Sequence, residues 1–189
     1  VDVKHAIEER RAYRSLDPAQ ITDELIEDLA QSASLSASCF NKQPWRFVFV
    51  HDKEVLSQLF SAMSKGNEWT RQASLIVAVF SKKELDCVVK GREYYLFDTG
   101  MATAFLILRA TERGLVAHPI AGYDEEKAKQ VLKIPEDMTL ITLVNVGKHA
   151  DEIHKLLSEE QAKIERTRPE RFPFEKFAFV NAYRQPSGH

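Results

Sequence analysis

The run Ser74-Leu75-Ile76-Val77-Ala78-Val79-Phe80 has the length of a strand and no charged residue. A strand with one wet face alternates polar with apolar, so an unbroken apolar run of this length is the pattern of a strand covered on both faces. It belongs in the interior of a sheet. Arg46 to His51 (RFVFVH) is β-branched and aromatic and reads as another strand, and Met138 to Val146 (MTLITLVNV) as a third.

Helical spacing separates these strands. Val3, Ala6 and Ile7 share one face of a predicted helix over Val3 to Arg11, which ends in the basic cluster Arg10, Arg11 and Arg14. Thr22 can cap a second helix, with Asp23 and Glu24 in its first turn and Leu25, Ile26, Leu29 and Ala33 in one stripe. A serine-rich loop, Ser32 to Ser38, follows. Asp52 starts a helix that turns Val55, Leu56, Leu59, Phe60 and Met63 inward. Tyr94 to Arg113 places Phe97, Met101, Ala104, Phe105 and Leu108 at helical spacing and stops at Gly114, which predicts a central, mostly buried helix. Asp124 to Leu132 is a short amphipathic helix ended before Pro135. From Ala150 a charged helix runs to Glu165, and Phe177-Ala178-Phe179-Val180 has the composition of a strand; in so small a domain, an arm crossing to a second subunit is expected. The architecture is α+β with a helix-covered sheet.

With 189 residues, no internal repeat and no long Gly/Ser linker, the chain reads as one domain over 1–189. Its 26 basic and 28 acidic residues leave a net charge of -2, so no bulk positive field draws nucleic acid or anionic lipid. The uncharged stretches Thr99 to Leu108 and Met138 to Gly147 fall short of the ~18 apolar residues of a membrane helix. The opening Val1-Asp2-Val3-Lys4-His5 lacks the apolar core of a secretory signal, so a cytoplasmic setting is expected. Cys39 and Cys87 are too few for a disulfide scaffold and read as inert, partly buried thiols.

Familiar catalytic motifs are missing. There is no Gly-rich dinucleotide fingerprint, phosphate loop, His-Glu-x-x-His or Gly-x-Ser-x-Gly. His149 and His154 are five apart, off the spacing that puts two ligands on one helical face, so no metal site is expected. Two features carry more chemistry. Arg10, Arg11 and Arg14 at a helix end suit a bidentate grip on phosphate, as does Arg166 to Pro173 at the far end of the chain, although both also read as solvated surface. The loop Ser36-Ala37-Ser38-Cys39-Phe40-Asn41-Lys42-Gln43-Pro44-Trp45-Arg46-Phe47 offers two amides that can read a heterocycle, or else a rigid turn whose Trp45 plugs the core.

In these segments the chain resembles the nitroreductase family of FMN-dependent NAD(P)H oxidoreductases. Arg10-Arg11-Ala12-Tyr13-Arg14 is similar to its Arg-Arg-Ser-x-Arg, and Ser36 to Phe47 to its Ala-Pro-Ser-x-x-Asn-x-Gln-Pro-Trp-x-Phe. His118-Pro119-Ile120-Ala121-Gly122-Tyr123, Asn145-Val146-Gly147 and Arg171-Phe172-Pro173 then follow in the family's order. Ala12 stands where the family has Ser, and Ala37 where it has Pro.

The resemblance implies a nitroreductase-like fold with a mostly antiparallel central sheet and a C-terminal arm exchanged in a homodimer. It implies FMN held by Arg10, Arg14 and Arg171, with Arg11 and Ala12 nearby, and with Asn67, Pro119, Ile120, Ala121 and Gly122 against the ring. Ser38, Cys39, Asn41 and Gln43 would reach the flavin of the neighbouring subunit. Hydride would pass from NADH or NADPH through FMN to a small electrophile such as a nitroaromatic or quinone, in ping-pong fashion, with no catalytic side chain required. Glu84, Tyr94, Tyr95 and Phe97, in and after the variable segment from Lys82, are the substrate-side candidates. Reductive dehalogenation or flavin fragmentation on the same scaffold, and a non-enzymatic flavin-binding or sensing dimer, are the alternatives.

Overall fold

A computed structural model of the chain describes residues 2–183; residue 1 and residues 184–189, included in the single-domain reading, lie outside the described residues. The predicted interior strand is β3 (Leu75–Ser81), and every residue in it is buried. It sits between β2 (Arg46–Val50) and β7 (Thr139–His149), antiparallel to both. β7 also carries β1 (Leu16–Asp17) and β6 (Val116–Ile120), again antiparallel.

The pleat of β3 sends alternate side chains into two cores. Ile76, Ala78 and Phe80 enter one core, with Leu56, Leu59, Leu140 and Leu143. Leu75, Val77 and Val79 enter the other, with Leu25, Leu29, Trp45, Ala102 and Leu106. Each fully buried Val or Leu contributes ~1.5–3 kcal/mol. The first core is covered by α3 (Lys53–Phe60) and α5 (Glu125–Leu132), and the second by α2 (Asp23–Ser34) and α4 (Tyr95–Glu112). Side chains of Thr22, Asp52 and Asp124 cap α2, α3 and α5. Trp45 is buried and plugs the second core, as its structural reading required.

Several expectations are corrected. The helix at the N-terminus, α1, spans Val3–Glu9 and buries only Ala6. α4 turns Asp98, Thr99, Ala102, Thr103, Leu106 and Ala110 inward, while Phe97 and Phe105 remain 61% and 45% exposed. Small side chains let this helix lie close on the sheet, and its bulky stripe faces out. The charged helix predicted from Ala150 is α6 (Glu159–Arg166), because Ser158 and Gln161 form a capping box that starts it there. No strand forms over 177–180; a single 3₁₀ turn, Phe174–Lys176, precedes that segment. β6 contains Pro119, which lowers a sequence reading of strand; it is tolerated because β6 pairs on one side only.

Candidate functional site

Where α1 ends, the chain runs extended from Arg10 to β1, and its side chains meet the segment that follows α6. Arg10, Arg11, Ala12 and Arg14 line a cavity of about 230 Å³ with Ile164, Arg168, Pro169 and Arg171. Five guanidinium groups border this space, and no carboxylate is among its lining residues. Burial, and then the charges of Arg168, Arg171 and Arg11, lower the Arg10 pKa from its ordinary value. A group of like charges, half-buried at Arg10, Arg11 and Arg14 and exposed at Arg168 and Arg171, with no carboxylate lining the same space, is the electrostatic complement of an anion.

Arg11 is not free to serve such an anion. Its guanidinium donates to the carbonyls of Ile164 (2.6 Å) and Glu165 (3.2 Å) and lies over the Tyr13 ring. In return the buried Glu165 carboxylate accepts the amides of Arg14 (2.7 Å) and Ser15 (3.2 Å). Arg168 also donates to the Glu8 carbonyl at the end of α1. The arginine segment and the end of α6 therefore clamp each other.

Trp69 links this cavity to a second feature. The Arg14 guanidinium lies 6.0 Å from the Trp69 ring centroid. Trp69 is buried, stacks on His118 at 4.7 Å, and donates from Nε1 to Asn67 Oδ1 at 3.3 Å. Asn67 Nδ2 donates to the Gly122 carbonyl at 2.8 Å, which also accepts the Ser64 amide. A Cβ on Gly122 would come within 2.5 Å of Asn67 Nδ2. His118 Nδ1 is 3.0 Å from the Tyr13 carbonyl, so that nitrogen carries the hydrogen of the neutral ring. Burial pushes the His118 pKa down to about 4. Just beyond, Pro119 and Ala121 are exposed while Ile120 is buried.

The amide loop lies elsewhere in the protomer. None of Ser38, Cys39, Asn41 and Gln43 lines the arginine cavity. Asn41 and Gln43 are exposed, and Phe40, Asn41 and Gln43 all hold positive φ, at 48°, 55° and 51°. The Gln43 amide donates to Ser38 Oγ (3.0 Å) and the Cys39 amide to the buried Asp98 carboxylate (2.6 Å). The two cysteines are not free thiols: Cys39 and Cys87 form a disulfide with Cα atoms 6.0 Å apart. Spacing alone cannot show this, because the two cysteines are 48 positions apart and meet only in the tertiary fold, where Asp98 of α4 also holds the Cys39 amide.

The disulfide joins that loop to a hairpin, β4 (Val88–Val89) and β5 (Arg92–Glu93), turned at Lys90 and Gly91. Glu84 is exposed beside it. Tyr94 and Tyr95 are half-buried at the start of α4, and Tyr94 meets Phe97 edge-on. The histidines do not converge: His149 stacks on Tyr13, and His154 Nε2 is 3.7 Å from Asp17.

Sequence reasoning nominated Asn67 and Gly122 separately and missed Trp69 and Glu165. A buried Trp two residues from Asn67 was readable only as core, and Glu165 is one acid among several in a charged helix.

The family model described as Nitroreductase family matches residues 7–148. A relative from Archaeoglobus fulgidus, named "Putative NADH dehydrogenase/NAD(P)H nitroreductase", is 30% identical over 151 residues, covering 76% of this chain and 83% of the relative. An iodotyrosine deiodinase of Haliscomenobacter hydrossis is 27% identical over 174 residues, covering 77% and 78%. A solved oxidoreductase containing FMN superposes with a TM-score of 0.84 at 25% identity, covering 98% of this chain and 94% of its own. The α+β fold is that of nitroreductases, and the chain belongs to the nitroreductase family.

Proposed function

We propose that this protein is an FMN-dependent oxidoreductase that works as a homodimer, takes hydride from NADH or NADPH and reduces nitroaromatic, quinone or similar electrophiles by a ping-pong mechanism. The observation that carries this reading is the arginine cavity without a counter-charge. FMN's phosphate is a dianion of the kind that relieves it.

The residues fit the cofactor. Arg10, Arg14, Arg168 and Arg171 would hold the phosphate end, with Arg11 and Ala12 supporting the segment. Asn67 and the Pro119-Ile120-Ala121-Gly122 stretch would meet the ring, with Gly122 keeping the surface free of a side chain. When bound, FMN supplies a two-electron redox couple, and the chain's task is to bind, orient and shield it. No side chain is assigned a proton transfer. Glu84, Tyr94, Tyr95 and Phe97 would border the acceptor.

A dimer completes the site in this reading. Ser38, Cys39, Asn41 and Gln43 do not line their own arginine cavity and would serve the partner's flavin. Cys39 would contribute through its backbone, since its sulfur is bonded to Cys87. The outward stripe of α4 and an apolar groove of about 340 Å³ lined by Val3, Ala6, Leu35, Phe105 and Leu108 supply a face for the second copy. Phe172, Phe174 and Phe177 are 77%, 57% and 66% exposed, which suits an exchanged arm. The reading places the enzyme among the nicotinamide pools of the cytoplasm. Among the described residues no helix is long and apolar enough to cross a membrane.

A second reading, reductive dehalogenation, is favoured by the similarity to the iodotyrosine deiodinase. Steady-state oxidation of NADPH and NADH, measured with a nitroaromatic, a quinone and a halotyrosine as acceptors, tests both. Turnover with the first two supports the proposal. Turnover with the halotyrosine alone favours the second reading, and flavin binding without turnover favours a sensor.

A further inference from the structure

Cys39 and Cys87 are the chain's two cysteines, and their bond joins the loop that the proposed function assigns to the partner's flavin to the segment that it assigns to the acceptor. Cys39 opens the turn in which Phe40 and Asn41, and then Gln43, hold the left-handed backbone that L-residues rarely adopt. Such backbone persists only where its surroundings over-determine it. Here the restraints are the Asp98 bond to the Cys39 amide, the Ser38 bond to the Gln43 amide, and the disulfide.

On the other side, Cys87 stands at the foot of the β4/β5 hairpin. Strands of two residues are marginal on their own. The Cys87 carbonyl accepts the Tyr94 amide (3.1 Å), and Lys83 pairs with Glu93 at 2.6 Å in an exposed position, so the disulfide is the hairpin's covalent hold on the loop. Cys39 and Cys87 are both half-buried residues. The Asp86 carboxylate lies within 4.8 Å of each, and burial and then Asp98 push its carboxyl up.

We propose that Cys39–Cys87 is a site of reversible exchange with low-molecular-weight thiols of the glutathione class, and that its closure holds the 38–43 loop in the form that retains flavin. The flavin half of this rests on the function proposed above. In the reducing direction two thiol molecules supply two electrons and two protons. The bond between the sulfurs breaks, Cys39 and Cys87 become thiols, and the reductant leaves as its own disulfide.

The test uses the full chain in four forms: air-oxidised, reduced with glutathione and desalted, and the separate variants Cys39→Ser and Cys87→Ser. Thiol titration in denaturant should find none in the oxidised protein and two after reduction. Trypsin should cut at Lys82, Lys83, Lys90 and Arg92 faster in the reduced protein and in both variants. FMN affinity, read by quenching of flavin fluorescence, should fall by about tenfold in those same forms, equivalent to about 1.4 kcal/mol. Two free thiols in the oxidised protein, or equal cleavage and equal FMN affinity in all forms, would overturn the proposal. Cleavage that follows the redox state with no FMN bound in any form supports the exchange site and overturns the flavin reading instead.

Discussion

The Asn67 side-chain amide donates to the Gly122 carbonyl at 2.8 Å, across 55 residues of sequence, and occupies the space that a Cβ on residue 122 would need. The joint fixes the end of the β6 segment against the loop that carries Trp69. Gly122→Ala should therefore displace Asn67 and weaken FMN binding, while the two cores, which Gly122 does not enter, keep their packing. Flavin titration together with thermal unfolding checks this; unchanged FMN affinity would count against the joint's role.

Arg10→Ala with Arg14→Ala should give a folded protein that loses FMN on gel filtration. The depressed pKa of Arg10 means that its charge is opposed in the apoprotein, so removing it should not lower the apoprotein's thermal stability. Arg11→Ala should differ, because its guanidinium holds the end of α6. A loss of thermal stability is expected there before any effect on flavin.

Glu165→Ala leaves the Arg14 and Ser15 amides without their acceptor. A buried unsatisfied donor costs ~1–3 kcal/mol, and ~2 kcal/mol corresponds to roughly 4–8 °C in a chain of this size. The substitution should also lower affinity for FMN more than for riboflavin, which lacks the phosphate. An equal loss for both ligands would show that Glu165 supports the fold but not the arginine cavity.

The His118 pKa falls from its ordinary 6.5 to about 4 in the folded protein, with burial as the main cause. Between those values the unfolded chain binds a proton that the folded chain does not, so stability drops as pH falls through the window and is restored above 6.5. The loss is on the order of 3 kcal/mol. Urea unfolding of the apoprotein above pH 6.5 and near pH 4 should show it, and His118→Gln should remove most of the difference. An unchanged slope in that variant would assign the effect to another group.

Asn41→Leu with Gln43→Leu should weaken flavin binding while the dimer persists on native mass spectrometry. Both residues are exposed in the protomer, so no core packing is lost and the cost is confined to the left-handed backbone of the loop. Wild-type flavin affinity and turnover would contradict their service to the partner's site.

Local periodicity and turn chemistry made much of the fold legible. Ser74 to Phe80 specified an interior strand because its composition admits no wet face, and Thr22, Asp52 and Asp124 marked helix starts through hydrogen bonds made within one turn. The face of α4 was not legible. Spacing identifies an apolar stripe but not which stripe meets the sheet, and the one with Phe97 and Phe105 points away from it. The arginine segment was readable as an anion site. Its dependence on Glu165, and the pairing of Cys39 with Cys87, were not, because each joins residues that only the tertiary fold brings together.

The most direct test of the central claim is the visible absorption spectrum of the purified protein, incubated with FMN, desalted, and followed under anaerobic conditions as NADPH or NADH is added. The account predicts flavin bands that stay with the protein, bleach with a nicotinamide donor and return when a nitroaromatic or quinone is supplied. A protein that remains colourless after incubation with FMN would contradict it.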